Sequence, residues 1–367
     1  MKFAVDVGAL KAVLHRACEV IERKTNIPIL GNILIQVEGA TVSITSTDLN
    51  RWFVERTPVA LDAVAGSITA PGRMLHDIAS KLPAEGQLTA ELDDTTLVLR
   101  CGRSRFKLLT LPPTDFPAPE FATGAPRFQI TSANLRRLIA RTGFAMCNDA
   151  SRYYLNGLHI HQENGRLRGV ATDGHRLARV DVDIELNGVS SFPGVILPRD
   201  TVLILDRLFG KSDEPISIEL TPTACKVSDN SRMLISKLID GTFPDYKRVI
   251  PDNPNVLKAD ARDLHDTIDR VGTVVEDGRG IKLSFNDNSV VISTTTRADQ
   301  VGAASEELEV QFESWLDIVD IAVNPRFALD IIDRLDCEIA DIRLKTAGDP
   351  ILFVDQDAVF VVMPMRA

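Results

Sequence analysis

The chain has 367 residues, 44% of them hydrophobic and 25% charged, with a formal net charge of −10. That is ample material for several separate cores, and the lack of any run of about 18 apolar residues excludes a helical membrane span. The opening stretch is interrupted by Asp6, Lys11, His15 and Arg16, so it does not fit a secretory leader, and the expected location is the cytoplasm. Five cysteines (Cys18, Cys101, Cys147, Cys225, Cys337) form no C-x-x-C pair. Their odd number speaks against a disulfide framework or a zinc knuckle, and for reduced, inert thiols.

From the N-terminus, Leu10, Val13, Leu14, Ala17 and Ile21 share one face of a helix over 8–24. The segment NILIQVEGATVSITST then alternates as a hairpin that turns at Glu38-Gly39. A short helix over 72–82 follows, entered through Pro71-Gly72, with Leu75, Ile78 and Leu82 on its apolar side. The strands QLTAELDD, TTLVLRCG and SRFKLLTL lead to the breaker PPTDFPAP. The same order returns with helices over 132–143 and 199–210, a hairpin across Glu163-Asn164-Gly165 and a close at GTFPDY. It returns again with helices over 260–271 and 325–336 and a terminal strand AVFVVMPMR.

The offset is nearly constant. TSTDLNR at Thr47-Asp48 recurs as VATDGHR at Thr172-Asp173, 125 residues on, and weakly as STTTRAD at Thr295, a further 123 on. This period is too long for a solenoid unit and matches one compact domain. The expected organisation is three tandem α+β domains over 1–125, 126–253 and 254–367, with proline-rich connections near Pro126 and Pro254.

The net charge at first speaks against a nucleic-acid partner, but its distribution is uneven. With the helical segments extended to 211 and 338, the first four hold twelve Lys and Arg against five Asp and Glu, and the last two hold four against eight. Charged outer helix faces are usually just solvated, so charge alone does not assign a DNA role. No glycine-rich phosphate loop, G-x-S-x-G elbow or H-E-x-x-H occurs. His159 and His161 alternate on a strand with no further ligand at a metal-like offset, which favours a half-exposed strand pair. Asp173 and His175 offer an acid and a base without a nucleophile, around a turn at Gly174. Binding explains two segments better: Leu155 and Leu177 near the turn bearing Thr172 and Arg176, and the apolar tail VVMPMRA. Methionines there suit a surface that repacks around different peptides; the alternative is a last core strand.

The segments SRYYLNG, ATDGHRLA, GTFPDYKRVIP and VVMPMR, with PILGNILI and GRSRF in the first copy, resemble the bacterial sliding-clamp family, the beta subunits of DNA polymerase III, across all 367 residues. The resemblance implies three processivity-clamp domains paired head to tail into a homodimeric ring, with helices lining the hole and sheets outside. It implies no catalysis, no cofactor, no metal and no membrane partner. It carries over Lys24, Arg73, Arg152, Tyr153, Tyr154, Arg199, Arg248 and Arg279 as contacts to double-stranded DNA, made without sequence preference. It also implies a partner-peptide pocket of Leu155, Thr172, Gly174, His175, Arg176, Leu177, Pro244, Arg248, Val249, Asn324, Val361, Val362, Met363, Pro364, Met365 and Arg366. Its expected guests are the DNA polymerase III alpha subunit, the clamp-loader delta subunit and other proteins with clamp-binding motifs, among them repair polymerases. The strand SRFKLLTL, with Phe106 and Leu108 on one face, is the expected dimer edge. Three features depart from the family pattern: Asp200 stands where a second basic residue is common, the third domain's helices are acidic, and Phe327 stands where many relatives have tyrosine. A duplicate clamp serving repair or drug tolerance is the alternative role, and a hydrolase using Asp173 and His175 would require turnover by the isolated chain.

Overall fold

The structure, a computed structural model, describes residues 1–22, 24–59, 63–186, 192, 194–212, 214–276, 278–295, 302–312 and 320–365. Six α-helices occur among the described residues: α1 (Val7–Ala17), α2 (Gly72–Lys81), α3 (Ser132–Thr142), α4 (Arg199–Phe209), α5 (Ala261–Gly272) and α6 (Pro325–Ile332). Apart from five short 3₁₀ segments, the remaining regular structure among the described residues is antiparallel sheet, and the chain divides into two compact units.

The first unit comprises Met1–Leu135, Ile184–Pro193 and Leu203–Leu238. Its eight-stranded sheet runs in the order Gly66–Pro71, Asn32–Glu38, Thr41–Thr47, Arg51–Pro58, Arg232–Lys237, Ala224–Ser228, Ile216–Leu220 and Arg127–Ile130. The first two sequence repeats are therefore joined edge to edge, with Leu234 opposite Phe53 and Ile235 opposite Trp52. A four-stranded sheet orders Lys2–Asp6, Gln87–Asp93, Thr96–Cys101 and Ser104–Leu109. The N-terminal strand of that sheet went unread in the sequence, although Phe3 and Val5 alternate inward beside exposed Lys2 and Asp6.

The second unit comprises Arg136–Asp183, Gly194–Val202 and Ile239–Ala367. Its nine-stranded sheet runs Val195–Pro198, Gly157–Glu163, Arg166–Thr172, Arg176–Val182, Ala358–Val362, Ile351–Asp355, Ile339–Leu344, Asn255–Asp260 and Gln311–Phe312. Here the second and third repeats are joined, Leu177 lying opposite Val361 and Arg176 opposite Val362. A four-stranded sheet orders Ser305–Glu309, Ser289–Thr294, Ile281–Phe285 and Ile321–Val323. The predicted hairpin at Glu163-Asn164-Gly165 forms with φ of 52° at Asn164 and 78° at Gly165. These are the two left-handed positions that a tight two-residue turn requires.

The helical faces follow the periodicity, with Leu10, Val13, Leu14 and Ala17 buried on α1 and Leu264, Ile268 and Val271 on α5. Two helices stop short of their expected ends. After Ala17 and again after Ile332 the backbone tightens to i→i−3 bonds (Glu19 N–H to Arg16 O, Val20 N–H to Ala17 O; Arg334 N–H to Ile331 O, Leu335 N–H to Ile332 O), so each last turn is 3₁₀-like and the α-helix ends. Val20 and Ile21 stay buried outside the helix, which is why the apolar period outran it. Asp333, Asp336 and Glu338 likewise fall beyond α6, so the third repeat's helices are less acidic than the sequence indicated.

The start of α6 follows local rules. Pro325 occupies its first turn and the Asn324 side chain accepts the Arg326 N–H at 2.9 Å. The terminal VVMPMR stretch splits in two: Val361 and Val362 belong to the last core strand, at 2% and 0% exposure, whereas Met363 is 37% exposed. The core-strand alternative for this segment therefore holds for its valines.

Candidate functional site

The repeated T-D-x-x-R motif is a backbone device. Asp173 Oδ1 accepts the N–H groups of His175 (2.9 Å) and Arg176 (3.0 Å), Oδ2 accepts Arg176 Nε (3.0 Å), and Thr172 Oγ1 donates to Arg176 O (2.7 Å). Asp48 makes the same bonds to Asn50, Arg51 and the Arg51 guanidinium, and Asp229 to Ser231, Arg232 and the Arg232 guanidinium. In the first two of these turns the residue after the aspartate is left-handed, Leu49 with φ 71° and Gly174 with φ 88°. Asp173 thus spends its carboxylate on its own loop and its own arginine, which overturns the acid–base reading with His175. His175 instead stacks on Phe327, centroids 5.8 Å apart, and its carbonyl accepts the Met363 N–H at 2.8 Å.

This turn forms one wall of an apolar cleft of about 200 Å³ in the second unit. Leu155, Thr172, Gly174, Arg176, Leu177, Pro244, Val249, Val361 and Met363 line it, all of them positions that the family resemblance implied for a pocket. Asp245 and Tyr246 line it too, and were missed. Tyr246, 7% exposed, belongs to the core cluster with Val170, Leu177, Leu352, Val359 and Val361. The only signal for it was its position inside GTFPDY. The lip is exposed, with Val249 at 45% and the unbranched Met363 side chain at 37%, while the floor is core. The Arg176 guanidinium lies 5.2 Å from the Phe144 ring and 4.8 Å from the Phe327 ring and is bonded to Asp330, so it braces the wall. Phe327 contributes its ring face there, to the His175 ring and to the Arg176 guanidinium.

Six further pocket assignments, His175 among them, lie outside the cleft lining. Val362 is fully buried in the strand, and Pro364 is half-buried beyond it. Met365 bridges to Ala322, its N–H 2.7 Å from the carbonyl. Asn324 caps α6, and Arg248 is exposed with its guanidinium 3.0 Å from Asp245. Arg366 lies outside the described residues.

Family models for the N-terminal, central and C-terminal domains of the DNA polymerase III beta subunit match residues 1–120, 129–245 and 247–366 in turn. The chain belongs to the DNA polymerase III beta subunit family. It is 37% identical to the beta sliding clamp of Caulobacter vibrioides over 377 aligned positions that span all of both proteins. The crystal structure of the Pseudomonas aeruginosa DNA polymerase III beta subunit superimposes with a TM-score of 0.94 at 35% identity, again over all of both chains. A sliding clamp from Bartonella birtlesii bound to griselimycin does so with a TM-score of 0.91 at 35% identity over all of both chains. The fold is therefore three tandem DNA-clamp domains.

In this beta-clamp chain the basic positions expected at DNA fall into two groups. Arg73 Nη2 donates to the carbonyls of Cys18 and Ile21, and Arg199 Nη1 donates to Met146 O at 3.1 Å. At equivalent places in two repeats an arginine at the start of the second helix thus ties down the segment that follows the first. Arg152 Nη1 donates to Asp173 O at 2.7 Å, linking its loop to the cleft wall. These three act first as structural ties. Lys24 and Arg279 are exposed, and Arg279 lines a polar hollow of about 230 Å³ with Asp269, Glu276 and Arg326. Tyr153, 53% exposed, meets Tyr154 edge-to-face at 5.7 Å. With the observed bounds, α1 to α4 hold nine Lys and Arg against three acidic residues. Several of these are already paired: Arg16 with Glu55 at 2.6 Å, Arg137 with Asp336 at 3.3 Å and Arg207 with Glu19 at 2.6 Å.

At the expected dimer edge, Leu108 is buried inside its own sheet and Phe106 is half-buried, while Leu109, not singled out, is 79% exposed. The reduced thiols need no partner, burial pushing Cys18 up to about 11 and Cys225 to about 12.

Proposed function

We propose that two copies of this chain close head to tail into a ring around duplex DNA and hold the replicative polymerase to it, without catalysing any step. The cleft would receive short apolar motifs of the DNA polymerase III alpha subunit, the clamp-loader delta subunit and other clamp-binding proteins. The three domains are taken at 1–125, 126–253 and 254–367, and the work belongs in the cytoplasm, where bacterial DNA is replicated.

The observation that carries this reading is the cleft itself: a solid apolar floor of Leu155, Leu177, Tyr246 and Val361 beneath an adaptable lip. Burying one leucine or phenylalanine contributes roughly 1.5–3 kcal/mol, and two such anchors leave micromolar affinity once ordering costs are subtracted. Ring closure is supported by two terminal strands, each ending its four-stranded sheet. Ser104–Leu109 exposes Arg105 and Lys107 at alternate positions, and Ser305–Glu309 exposes Glu307 and Glu309. Pairing one with the other covers both open edges and matches their charges.

Retention on DNA would be topological, with dispersed cations and Tyr153 touching phosphates and any emerging single strand. The test loads the protein onto closed circular DNA and then linearises it. Retention on the circle and release from the linear form is expected, with weak, salt-sensitive binding to short duplexes. Tight, salt-insensitive binding to one sequence would refute the proposal.

A further inference from the structure

His159 and His161, read from the sequence as a strand pair, sit directly behind the cleft. They share one face of the Gly157–Glu163 strand with their rings 5.1 Å apart. The Phe243 ring lies flat on His159 at 4.7 Å and 9°. On the neighbouring strand side, a Cβ at Gly194 would stand 2.8 Å from His159 Cε1, so only a bare glycine backbone fits beside that ring. His161 Nδ1 is 3.2 Å from Gln162 O and Nε2 is 3.0 Å from the Tyr246 hydroxyl. A carbonyl only accepts, so the proton is assigned to Nδ1, and the bare Nε2 accepts from Tyr246 O–H. That hydroxyl in turn accepts from Arg168, which Asp181 grips at 2.6 and 2.7 Å.

Phe243 and Tyr246 belong to the wall segment between Ile239 and Asn255, which lies outside every sheet. Its backbone is tied by Ile239 N–H to Ile196 O at its start and by Arg248 N–H to Asp245 O in a single 3₁₀ turn. Side chains therefore fix its place. We infer that the His159–His161 pair positions the Phe243–Tyr246 wall of the peptide cleft, and holds it there only while both imidazoles are neutral. This rests on the peptide reading of the cleft.

The charges around the pair all bear on this. His161 faces His159 and Glu163 on its own strand, Arg168 on the next, and Tyr246 and Lys247 on the turn. Burial, then Arg168 and Lys247, push its proton affinity down against the pull of Gln162 O and Glu163, and the result is a lowered value. His159 is held down to about 4 by burial and by His161, and its buried Nδ1 has no hydrogen-bond partner. A proton on His161 Nε2 would turn the acceptor of Tyr246 into a donor aimed at an oxygen that Arg168 already uses. It would also add a cation beside Arg168 and Lys247.

The experiment has two readouts on the full-length protein. One is fluorescence anisotropy with a labelled pentapeptide ending in leucine and phenylalanine, from about pH 7.5 to pH 5. The other is fluorine NMR after 3-fluorotyrosine labelling, which gives one signal for each of the three tyrosines, with Tyr246 identified through Tyr246→Phe. At pH 7.5, His161→Leu should weaken the peptide about tenfold, because a buried hydroxyl loses its acceptor, while His161→Gln, which restores one, should stay within about threefold. In the wild type, affinity should fall and the Tyr246 signal should shift together as the pH is lowered past the ordinary imidazole range, and both changes should vanish in His161→Gln. A wild-type pH profile in His161→Gln, or a Tyr246 signal that does not move with pH, overturns the inference. A peptide that fails to bind at any pH refutes the peptide reading alone, and the Tyr246 signal still decides whether His161 sets the wall.

Discussion

Replacing Arg141 should show how strongly the second and third repeats are locked together within the second unit. Arg141 is 3% exposed and its guanidinium bonds Asp355, itself 3% exposed, and Asp336 at 3.0 Å. Asp355 Oδ2 also accepts the Asp336 N–H at 2.6 Å, while its Oδ1 is buried with no hydrogen-bond partner. Arg141→Met keeps most of the side-chain volume and leaves the Asp355 carboxylate buried with one N–H to compensate it. The expected cost is about 3–5 kcal/mol. Adding Asp355→Asn removes the orphaned charge and keeps an acceptor for Asp336, so most of that loss should return in the double variant. Amide hydrogen exchange of peptides spanning 136–142 and 351–355 measures this locally. At a tenfold change per 1.4 kcal/mol, the single variant should exchange roughly two to three and a half powers of ten faster. A single-variant cost below about 1 kcal/mol, or a double variant as labile as the single, would refute the picture of a buried pair held for mutual compensation.

Met363→Asp places a charge on the cleft lip without touching the core strand, so anisotropy should show loss of peptide binding while light scattering shows the dimer intact; truncation from Val362 is the poorer test, since that valine is 0% exposed. Reversing Arg105 and Lys107 to Glu should yield monomers by gel filtration with light scattering, and adding Glu307→Lys and Glu309→Lys should restore the dimer; no rescue would sink the proposed edge pairing. His159, held down to about 4 in the fold against about 6.5 unfolded, takes its proton first in the unfolded chain. Stability should therefore fall as pH drops from about 6.5 to 4, by on the order of 3 kcal/mol in urea titrations, and His159→Phe should flatten that slope.

The sequence by itself determined the local and repeated features. Period placed the inward faces of α1 and α5, Asn164-Gly165 demanded a tight hairpin, and the recurrence of T-D-x-x-R announced tandem copies, because each depends on neighbours a few residues away. Of the nine cleft residues named beforehand, Leu155, Thr172, Gly174, Arg176, Leu177 and the tail residues Val361 and Met363 stood in segments the sequence itself singled out, whereas Pro244 and Val249 came only from the resemblance to the clamp family. What only the tertiary structure decided were matters of long-range pairing. It showed that Arg176–Val182 lies against Ala358–Val362, which makes Val362 core and leaves Met363 at the lip. It showed that Arg73 and Arg199 are tied to the backbone beyond the helix before them, and that Asp173 is committed to its own turn. Tyr246 shows the limit most clearly. Its hydroxyl is placed by His161, 85 residues away in the chain, and hydrogen-bond geometry at that separation leaves no periodic trace in a sequence.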